Sequence, residues 1–307
     1  MAKGRPRREP LKHPLQLHAF AKINLGLRIL GRRPDGYHEI QTVYQTVGLH
    51  DRLWLELGAR GAGIDLACDD PEVPGGRKNL VYQIAARWKR ARHFRGAIRI
   101  RLEKAIPAGA GLGGGSSDAA ATLVALERLT GDRLSPAARF RLAAATGSDV
   151  PFFLWGGRAL GLGRGEKVYP LPDLARWHCL VVFPGRSVST AQAYREAGRR
   201  LTKNRRTSSI AFFGARPHFS PEVSGPAEND FEAVIFARWP ELASLKRRLI
   251  QAGAKVASLT GSGSAVFALF DSGRKLRHAA KFIPKGWKVF PTLTVSREEY
   301  QQRLFEA

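Results

Sequence analysis

Glycine is unusually dense in one segment of the chain, Pro107-Ala108-Gly109-Ala110-Gly111-Leu112-Gly113-Gly114-Gly115-Ser116-Ser117. Consecutive glycines let a backbone approach a ligand closely, and their N–H groups can surround phosphate oxygens. The apolar spacing predicts a helix over about 117–129, whose N-terminus would add free N–H groups and the positive end of its dipole. The segment therefore predicts a site for the phosphates of a nucleotide. Ser116 and Ser117 could offer hydroxyl ligands to a Mg²⁺ ion bound with them.

Other glycine-rich sites fit this segment less well. The Gly109-x-Gly111-x-x-Gly114 spacing matches the dinucleotide fingerprint, which also needs a preceding buried strand and an acidic residue about twenty positions later. Here an Arg-rich strand comes first, and only Asp132 stands near the required place. The Lys-Ser/Thr pair of a P-loop does not end the glycine run. A purely structural loop is disfavoured because so many glycines are costly to order. Asp118 is expected to point away from bound phosphate.

A lysine and an asparagine form a second candidate site. Apolar and polar residues alternate over 20–29, which predicts a half-buried strand with Lys22 and Asn24 side by side on its polar face. By pattern alone, a lysine such as Lys22 is more often an exposed strand residue than a site residue. Asp149 stands just before Val150-Pro151, where the pattern by itself favours a carboxylate that caps the next helical turn.

Length and composition indicate a two-domain α+β protein. The chain has 307 residues, 44% of them hydrophobic, and domains usually contain about 100–200 residues. We expect a disordered basic tail at 1–14, an N-terminal domain at 15–165 and a C-terminal domain at 166–307. A strand-like stretch at 289–295 could return to the first domain. The polar, basic segment 199–227 is predicted to be a long loop.

The charge is strongly positive, since 50 Lys and Arg residues face 26 Asp and Glu residues for a net charge of +24. Such a field attracts polyanions, so nucleic acid, an anionic membrane and phosphorylated metabolites are all candidate partners. The arginines are spread along the chain, which favours a solvated coat and disfavours nucleic acid. Two distant cysteines outside any CxxC pattern fit a reducing compartment. No apolar run approaches the ~20 residues of a membrane span. These features predict a cytoplasmic protein.

Three segments in order resemble the motifs of the GHMP kinases. They are the N-terminal stretch Phe20–Glu39, the glycine segment Pro107–Ala120, and Leu259–Phe270. Within the family, the Arg-Arg-Pro-Asp-Gly-Tyr-His-Glu run is similar to the members that act on a cytidine-bearing substrate, as are Thr146–Phe153 and Asn229–Glu232. The likeness covers residues 20 to about 270.

The resemblance implies a fold and a reaction. The fold would pair an N-terminal domain like ribosomal protein S5 domain 2 with a ferredoxin-like C-terminal domain. The reaction would use ATP and Mg²⁺ to phosphorylate the 2-hydroxyl of a methylerythritol joined to cytidine diphosphate, in the non-mevalonate isoprenoid pathway. A homoserine-type or mevalonate-type GHMP kinase is the alternative.

The resemblance also implies roles for single residues. Asp149 would take the proton of the hydroxyl, with Lys22 beside it. The other residues would bind ligands. Substrate would contact Asn24, Tyr37, His38, Thr190, Tyr194 and Asp230, with cytosine between Tyr37 and Tyr194. A second glycine turn would close over the phosphates of ATP through Gly261, Ser262 and Gly263, although such a turn is also a common hairpin connection.

Overall fold

The computed structural model describes residues 14–60, 63–173, 175–201 and 228–305. Nearly all of the predicted basic tail at 1–14 lies outside the described residues. The same holds for most of the predicted loop at 199–227.

The described strands form two sheets. The first has the strand order β3-β4-β2-β5-β6 with β1 paired to β2, and the second has the order β10-β7-β9-β8. Neighbouring strands run antiparallel, except that β3 runs parallel to β4. The strands are β1 (Leu15–Arg32), β2 (His38–Arg60), β3 (Ile64–Cys68), β4 (Gly96–Glu103), β5 (Arg158–Gly163), β6 (Lys167–Pro170), β7 (His178–Phe183), β8 (Val256–Leu259), β9 (Val266–Phe270) and β10 (Lys288–Leu293).

Helices cover the outer face of each sheet, and together with the strands they confirm the α+β class. Local signals start several of them: the Asn79 side chain accepts a hydrogen bond from Val81 N at 2.8 Å, and Ser135 Oγ accepts one from Ala138 N at 3.4 Å. The α-helices are α1 (Leu80–Ala91), α2 (Gly114–Thr130), α3 (Pro136–Thr146), α4 (Thr190–Leu201), α5 (Glu232–Arg238), α6 (Pro240–Gln251), α7 (Gly273–Ala280) and α8 (Arg297–Arg303).

The second sheet lies between the first sheet and its own helices. Leu180 and Val182 of β7 pack in the core shared with α4 to α7. The alternate residues Cys179 and Val181 pack against β1 and β2 in a separate core. Because successive side chains of a strand point to opposite faces, this pattern stacks the molecule as helices, sheet, sheet and helices.

Strand β1 differs from the predicted half-buried strand, because it is covered on both faces. Lys22 and Asn24 are only 3% and 1% exposed. The register against β2 also shifts at three points along the strand. The shift after Asn24 separates Leu25 from Leu27. Leu25 lies in the core between the two sheets, and Leu27 lies in the core that the second sheet shares with α4 to α7. The polar face of β1 is therefore a buried site inside the molecule.

The end of the stretch at 289–295 reaches the first sheet, while most of it belongs to the second. Strand β10 pairs with β7 in the second sheet, so the stretch at 289–295 is largely part of that sheet. Pairing with the first sheet begins at Thr294, which forms an isolated bridge with Val47, and Val295 N donates to Thr46 O at 3.0 Å. Beyond this stretch, Tyr300 is buried in the core of the first sheet. The first sheet extends to Pro170, past residue 165, and the division into two domains near that point stays a prediction.

Candidate active site

The glycine segment forms a loop that leads into the N-terminus of α2. Gly109, Gly111 and Gly113 have φ angles of +66°, +81° and +74°, a region that favours glycine. Between them, Ala110 and Leu112 are buried in the core between the sheets. The loop is therefore pinned by two side chains, while its glycines shape the backbone.

Helix α2 begins at Gly114, three residues before the predicted start. The residue before it, Gly113, is left-handed, and within the described part of the chain no side chain caps the helix. The first N–H groups of a helix have no partner within the helix, so here they are available to an anion.

A second glycine turn lies against this loop, at Gly261–Gly263 between β8 and β9. Thr260 Oγ1 donates to Gly111 O at 3.1 Å, and Ala265 N donates to Ala110 O at 3.1 Å. A Cβ placed on Gly111 would lie 2.1 Å from Thr260 O. The structure thus packs the two predicted glycine turns backbone against backbone.

Lys22 and Asp149 meet beside the loop. Lys22 Nζ lies 3.6 Å from Asp149 Oδ2, and a Cβ on Gly113 would be 3.1 Å from Lys22 Cγ. Asp149 belongs to the turn after α3, and 29% of its side chain is exposed, whereas the Lys22 side chain is buried. Burial lowers the pKa of Lys22, and the charge of Asp149 opposes that shift. The two residues predicted to act together are therefore adjacent, and the carboxylate is accessible.

Tyr44 is a third member of this group that sequence reasoning missed. Its hydroxyl donates to Asp149 Oδ1 at 2.9 Å. Burial, and then the charge of Asp149, raise the pKa of Tyr44 well above its ordinary value, so the phenol stays a neutral donor. In the sequence, Tyr44 is one apolar member of an alternating strand. Tyr44 pairs with Asn24 across β1 and β2, a register that the folded sheet sets and the sequence does not show.

Asn24 joins the strand pair to the second glycine turn. Its Oδ1 accepts from Lys22 Nζ and from Gly261 N, both at 2.7 Å, and its Nδ2 donates to Thr42 Oγ1 at 2.7 Å. Thr260 Oγ1 also lies 3.3 Å from Asn24 Oδ1, so the side chain predicted to contact substrate is already bonded within the protein through both its oxygen and its nitrogen. It fixes the position of the Lys22 ammonium.

The predicted cytosine residues surround the turn between β1 and β2. Tyr37 is 53% exposed, and the guanidinium of Arg164 lies 4.6 Å from the centre of its ring. His38 stacks on Tyr194, with ring centres 4.9 Å apart and an angle of 17°. The ring that covers Tyr194 is therefore His38 and not Tyr37, and this spacing leaves no room for a base between the two. Burial, and then the charge of Arg32, lower the pKa of His38.

Two further predicted substrate residues lie at the edge of the site. Thr190 Oγ1, at the start of α4, is 3.2 Å from Ser262 Oγ of the second glycine turn. Asp230 Oδ2 accepts from Ile29 N at 2.7 Å, so it holds the end of β1. The neighbouring Asn229 donates to Gly261 O at 2.9 Å, a role that the sequence did not reveal.

Hydroxyl groups are the donors that could serve a metal ion here. The described residues contain no group of three or more His, Cys, Asp or Glu side chains suited to hold a metal. Ser117 Oγ is buried and has no hydrogen-bond partner among the described residues, and Ser116 is half-buried beside it. Mg²⁺ usually keeps several waters and is held by phosphates with few protein ligands. The serines fit an ion that arrives with a nucleotide.

Two family models and a similar bacterial protein match this chain. The model described as GHMP kinases N terminal domain matches residues 79–157, and the one described as GHMP kinases C terminal matches 221–289. A protein of Solibacter usitatus (strain Ellin6076) named 4-diphosphocytidyl-2-C-methyl-D-erythritol kinase is 43% identical over 290 residues, which cover 93% of this chain and 90% of that protein.

Solved structures agree with this match. A crystal structure of 4-(cytidine 5'-diphospho)-2C-methyl-D-erythritol kinase is similar with a TM-score of 0.75 and 36% identity, covering 91% of this chain and 99% of the other. Homoserine kinase from Cytophaga hutchinsonii ATCC 33406 is similar with a TM-score of 0.67, covering 95% and 98% of the two chains. Its identity is 19%, so this likeness concerns the fold alone.

Proposed function

Because the chain belongs to the GHMP kinases, within them to the 4-diphosphocytidyl-2-C-methyl-D-erythritol kinases, we propose that it transfers the γ-phosphoryl group of ATP to the 2-hydroxyl of 4-diphosphocytidyl-2-C-methyl-D-erythritol. This reaction belongs to the methylerythritol phosphate route to isoprenoid precursors. The predicted two-domain GHMP kinase fold is confirmed. The homoserine and mevalonate alternatives are disfavoured, since identity is 19% to the homoserine kinase and 15% to the L. major mevalonate kinase, against 43% to the Solibacter usitatus protein.

One observation carries the proposal: Lys22 and Asp149 converge beside the glycine loop. An alcohol is a weak nucleophile, so a carboxylate that accepts its proton speeds the attack. Asp149 Oδ1 is engaged by Tyr44, while Oδ2 lies 3.6 Å from Lys22 and is free to accept that proton. The Lys22 ammonium, held by Asn24, offsets negative charge on the transferred group.

The glycine loop and the second glycine turn would bind the phosphates of ATP. Backbone N–H groups at the start of α2 face no capping side chain and suit an anion. A Mg²⁺ ion near Ser116 and Ser117 would neutralise the phosphate charge. Asn24 orients Gly261 N, so the second turn and Lys22 share one anchor. A substrate contact through the second Nδ2 hydrogen of Asn24 stays part of the proposal.

Cytidine would bind at the turn between β1 and β2. The exposed ring of Tyr37 can stack on a base, and Arg164 supports it on one side. The neutral imidazole of His38 can exchange hydrogen bonds with the polar edge of cytosine. Tyr194 then contributes to cytidine binding by stacking on His38 and holding its ring in place. We assign Thr190 to the rim of the phosphate site and Asp230 to the support of β1.

The remaining assignments concern location and partners. Across the described ranges, no helix has the length and apolar character needed to cross a membrane. Cys68 and Cys179 are free thiols, which agrees with a reducing compartment. We propose a cytoplasmic enzyme whose partners are small anions. Its positive charge would then raise encounter rates with ATP and a diphosphate-linked substrate, with nucleic acid disfavoured.

The test is an ATP-consumption assay with 4-diphosphocytidyl-2-C-methyl-D-erythritol, mevalonate and homoserine as acceptors. We expect turnover with the first acceptor only. Asp149→Asn keeps the shape of the side chain but removes the base, so kcat should fall by about 10²–10⁴. Turnover with mevalonate or homoserine would refute the substrate assignment, and full activity of Asp149→Asn would refute the base.

A further inference from the structure

A lysine held by two carboxylates is buried beneath the glycine loop, and none of the steps above uses it. Lys104 follows β4, Asp51 lies in β2, and Asp118 lies in α2. Their side chains are 4%, 0% and 2% exposed. We call these three residues the loop clamp.

The clamp holds the chain where it enters the loop. Asp51 Oδ1 accepts hydrogen bonds from Ala105 N at 2.6 Å and from Ile106 N at 2.8 Å, and Oδ2 pairs with the Lys104 ammonium. Ile106 directly precedes Pro107, the first residue of the loop. The entry is therefore tied to the first sheet through both backbone and side chain.

The same lysine holds the chain where it leaves the loop. Lys104 Nζ donates to Asp118 Oδ2 at 2.6 Å, so the carboxylate points away from the phosphate site, as expected. A Cβ on Gly114 would lie 3.1 Å from Ile106 Cγ2 and 3.3 Å from Lys104 Nζ. The first turn of α2 thus sits directly on the entry segment, and Lys104 connects the two ends.

This arrangement is costly, which argues that it has a use. Burying ions costs several kcal/mol each, and well-packed apolar residues of similar volume are often as stable or more so. A glycine-rich loop also loses much conformational entropy when it becomes ordered. If the two ends of the loop are already fixed before a ligand binds, binding has to order less of the loop. A smaller entropy loss then opposes ligand binding.

We propose that the loop clamp is a positioning device for nucleotide binding, in which the Lys104–Asp118 bond holds the loop ends so that the N–H groups are preset for phosphate. This rests on the proposed function, since it takes the loop to be the ATP site. Asp118 is a positioning residue and touches no substrate.

Asp118 offers a clean pair of variants. Asp118→Ala breaks the bond to the loop exit but leaves the Lys104–Asp51 pair, whose net charge is zero. Asp118→Asn keeps an acceptor for Lys104, and its amide would stand where Asp118 Oδ1 has no hydrogen-bond partner within the described part of the chain. Asp132→Ala is the matched control, because it removes an equal charge and an ion pair with Arg92 just beyond the far end of α2.

The experiment measures Mg·ADP binding by calorimetry and steady-state kinetics on the full chain. For Asp118→Ala we expect the Kd of Mg·ADP and the KM of ATP to rise about tenfold, the loss of one buried charged hydrogen bond. The KM of the cytidine substrate should stay within about twofold. Asp118→Asn should recover most of the affinity, and Asp132→Ala should bind like the wild type.

The outcomes separate the two proposals. A wild-type chain that does not bind Mg·ADP contradicts the proposed function itself. Wild-type binding with equal binding by Asp118→Ala, even at a lower Tm, makes the clamp merely structural and overturns the inference. If Asp118→Asn binds Mg·ADP as weakly as Asp118→Ala does, the inference is overturned too. The bond from Lys104 to residue 118 would then be present and yet have no effect on affinity. If Asp118→Ala does not fold, Asp118→Ser, which is too short to reach Lys104, replaces it in the same comparison.

Discussion

Replacing Tyr44 with Phe removes one hydrogen bond from the proposed base and little else. The phenol donates to Asp149 Oδ1 at 2.9 Å, while its ring packs on Phe152 with centres 4.8 Å apart. The ring contact survives in Phe, so the variant should fold normally. The lost interaction orients Asp149 and stabilises its charge.

The size of the effect follows from the surroundings of Asp149. A hydrogen bond to a charged group contributes about 1.5–3 kcal/mol. Because 29% of the Asp149 side chain is exposed, water can replace part of the lost bond, which places the effect near the lower limit. About 1.4 kcal/mol corresponds to a tenfold loss in kcat/KM for the cytidine substrate. The KM of ATP should stay within about twofold.

Tyr300→Phe is the matched control for this prediction. Its hydroxyl is also buried, but it donates to Phe153 O and not to the Asp149 carboxylate. Loss of that bond should lower Tm without changing kcat/KM, since an unpaired buried carbonyl costs about 1–3 kcal/mol of stability. Steady-state kinetics and thermal melts on both variants test the reasoning. Unchanged kcat/KM in Tyr44→Phe, or an equal loss in Tyr300→Phe, would refute it.

Two further outcomes follow from the geometry of the site. Gly111→Ala should abolish ATP turnover, because the φ of Gly111 is +81° and a Cβ would lie 2.1 Å from Thr260 O. Gly31→Ala is the control and should keep activity, because no described atom lies within 4 Å of a Cβ placed there. Retained turnover in Gly111→Ala would contradict the packing of the two glycine turns. His38 has a lowered pKa, from burial first and Arg32 second, so NMR should show a titration midpoint below the ordinary value of 6.5. The imidazole then contributes stability above pH 6.5 that is lost as pH falls through the folded pKa; a midpoint above 6.5 would contradict the burial.

Local patterns in the sequence determined much of the proposed ATP site. Glycines at 109, 111 and 113 have the backbone freedom that a left-handed loop demands, so the loop was predictable from residue type. The cap at Ser135, and the strands on either side of the second glycine turn, follow from short-range rules of the same kind. The adjacency of Lys22 and Asn24 follows from the two-residue period of a strand. Each of these features depends on neighbours in sequence.

Only the tertiary structure decided how these parts meet. Pairing with β2 adds a shift after Asn24, and packing between two sheets buries a strand that looked half-exposed. Tyr44 reaches Asp149 across more than a hundred residues, a contact that no pattern in either segment records. His38 takes the place predicted for Tyr37 because α4 brings Tyr194 to it. These contacts join residues that are far apart in the chain. They form only when the whole chain packs, so no short segment of the sequence is enough to predict them.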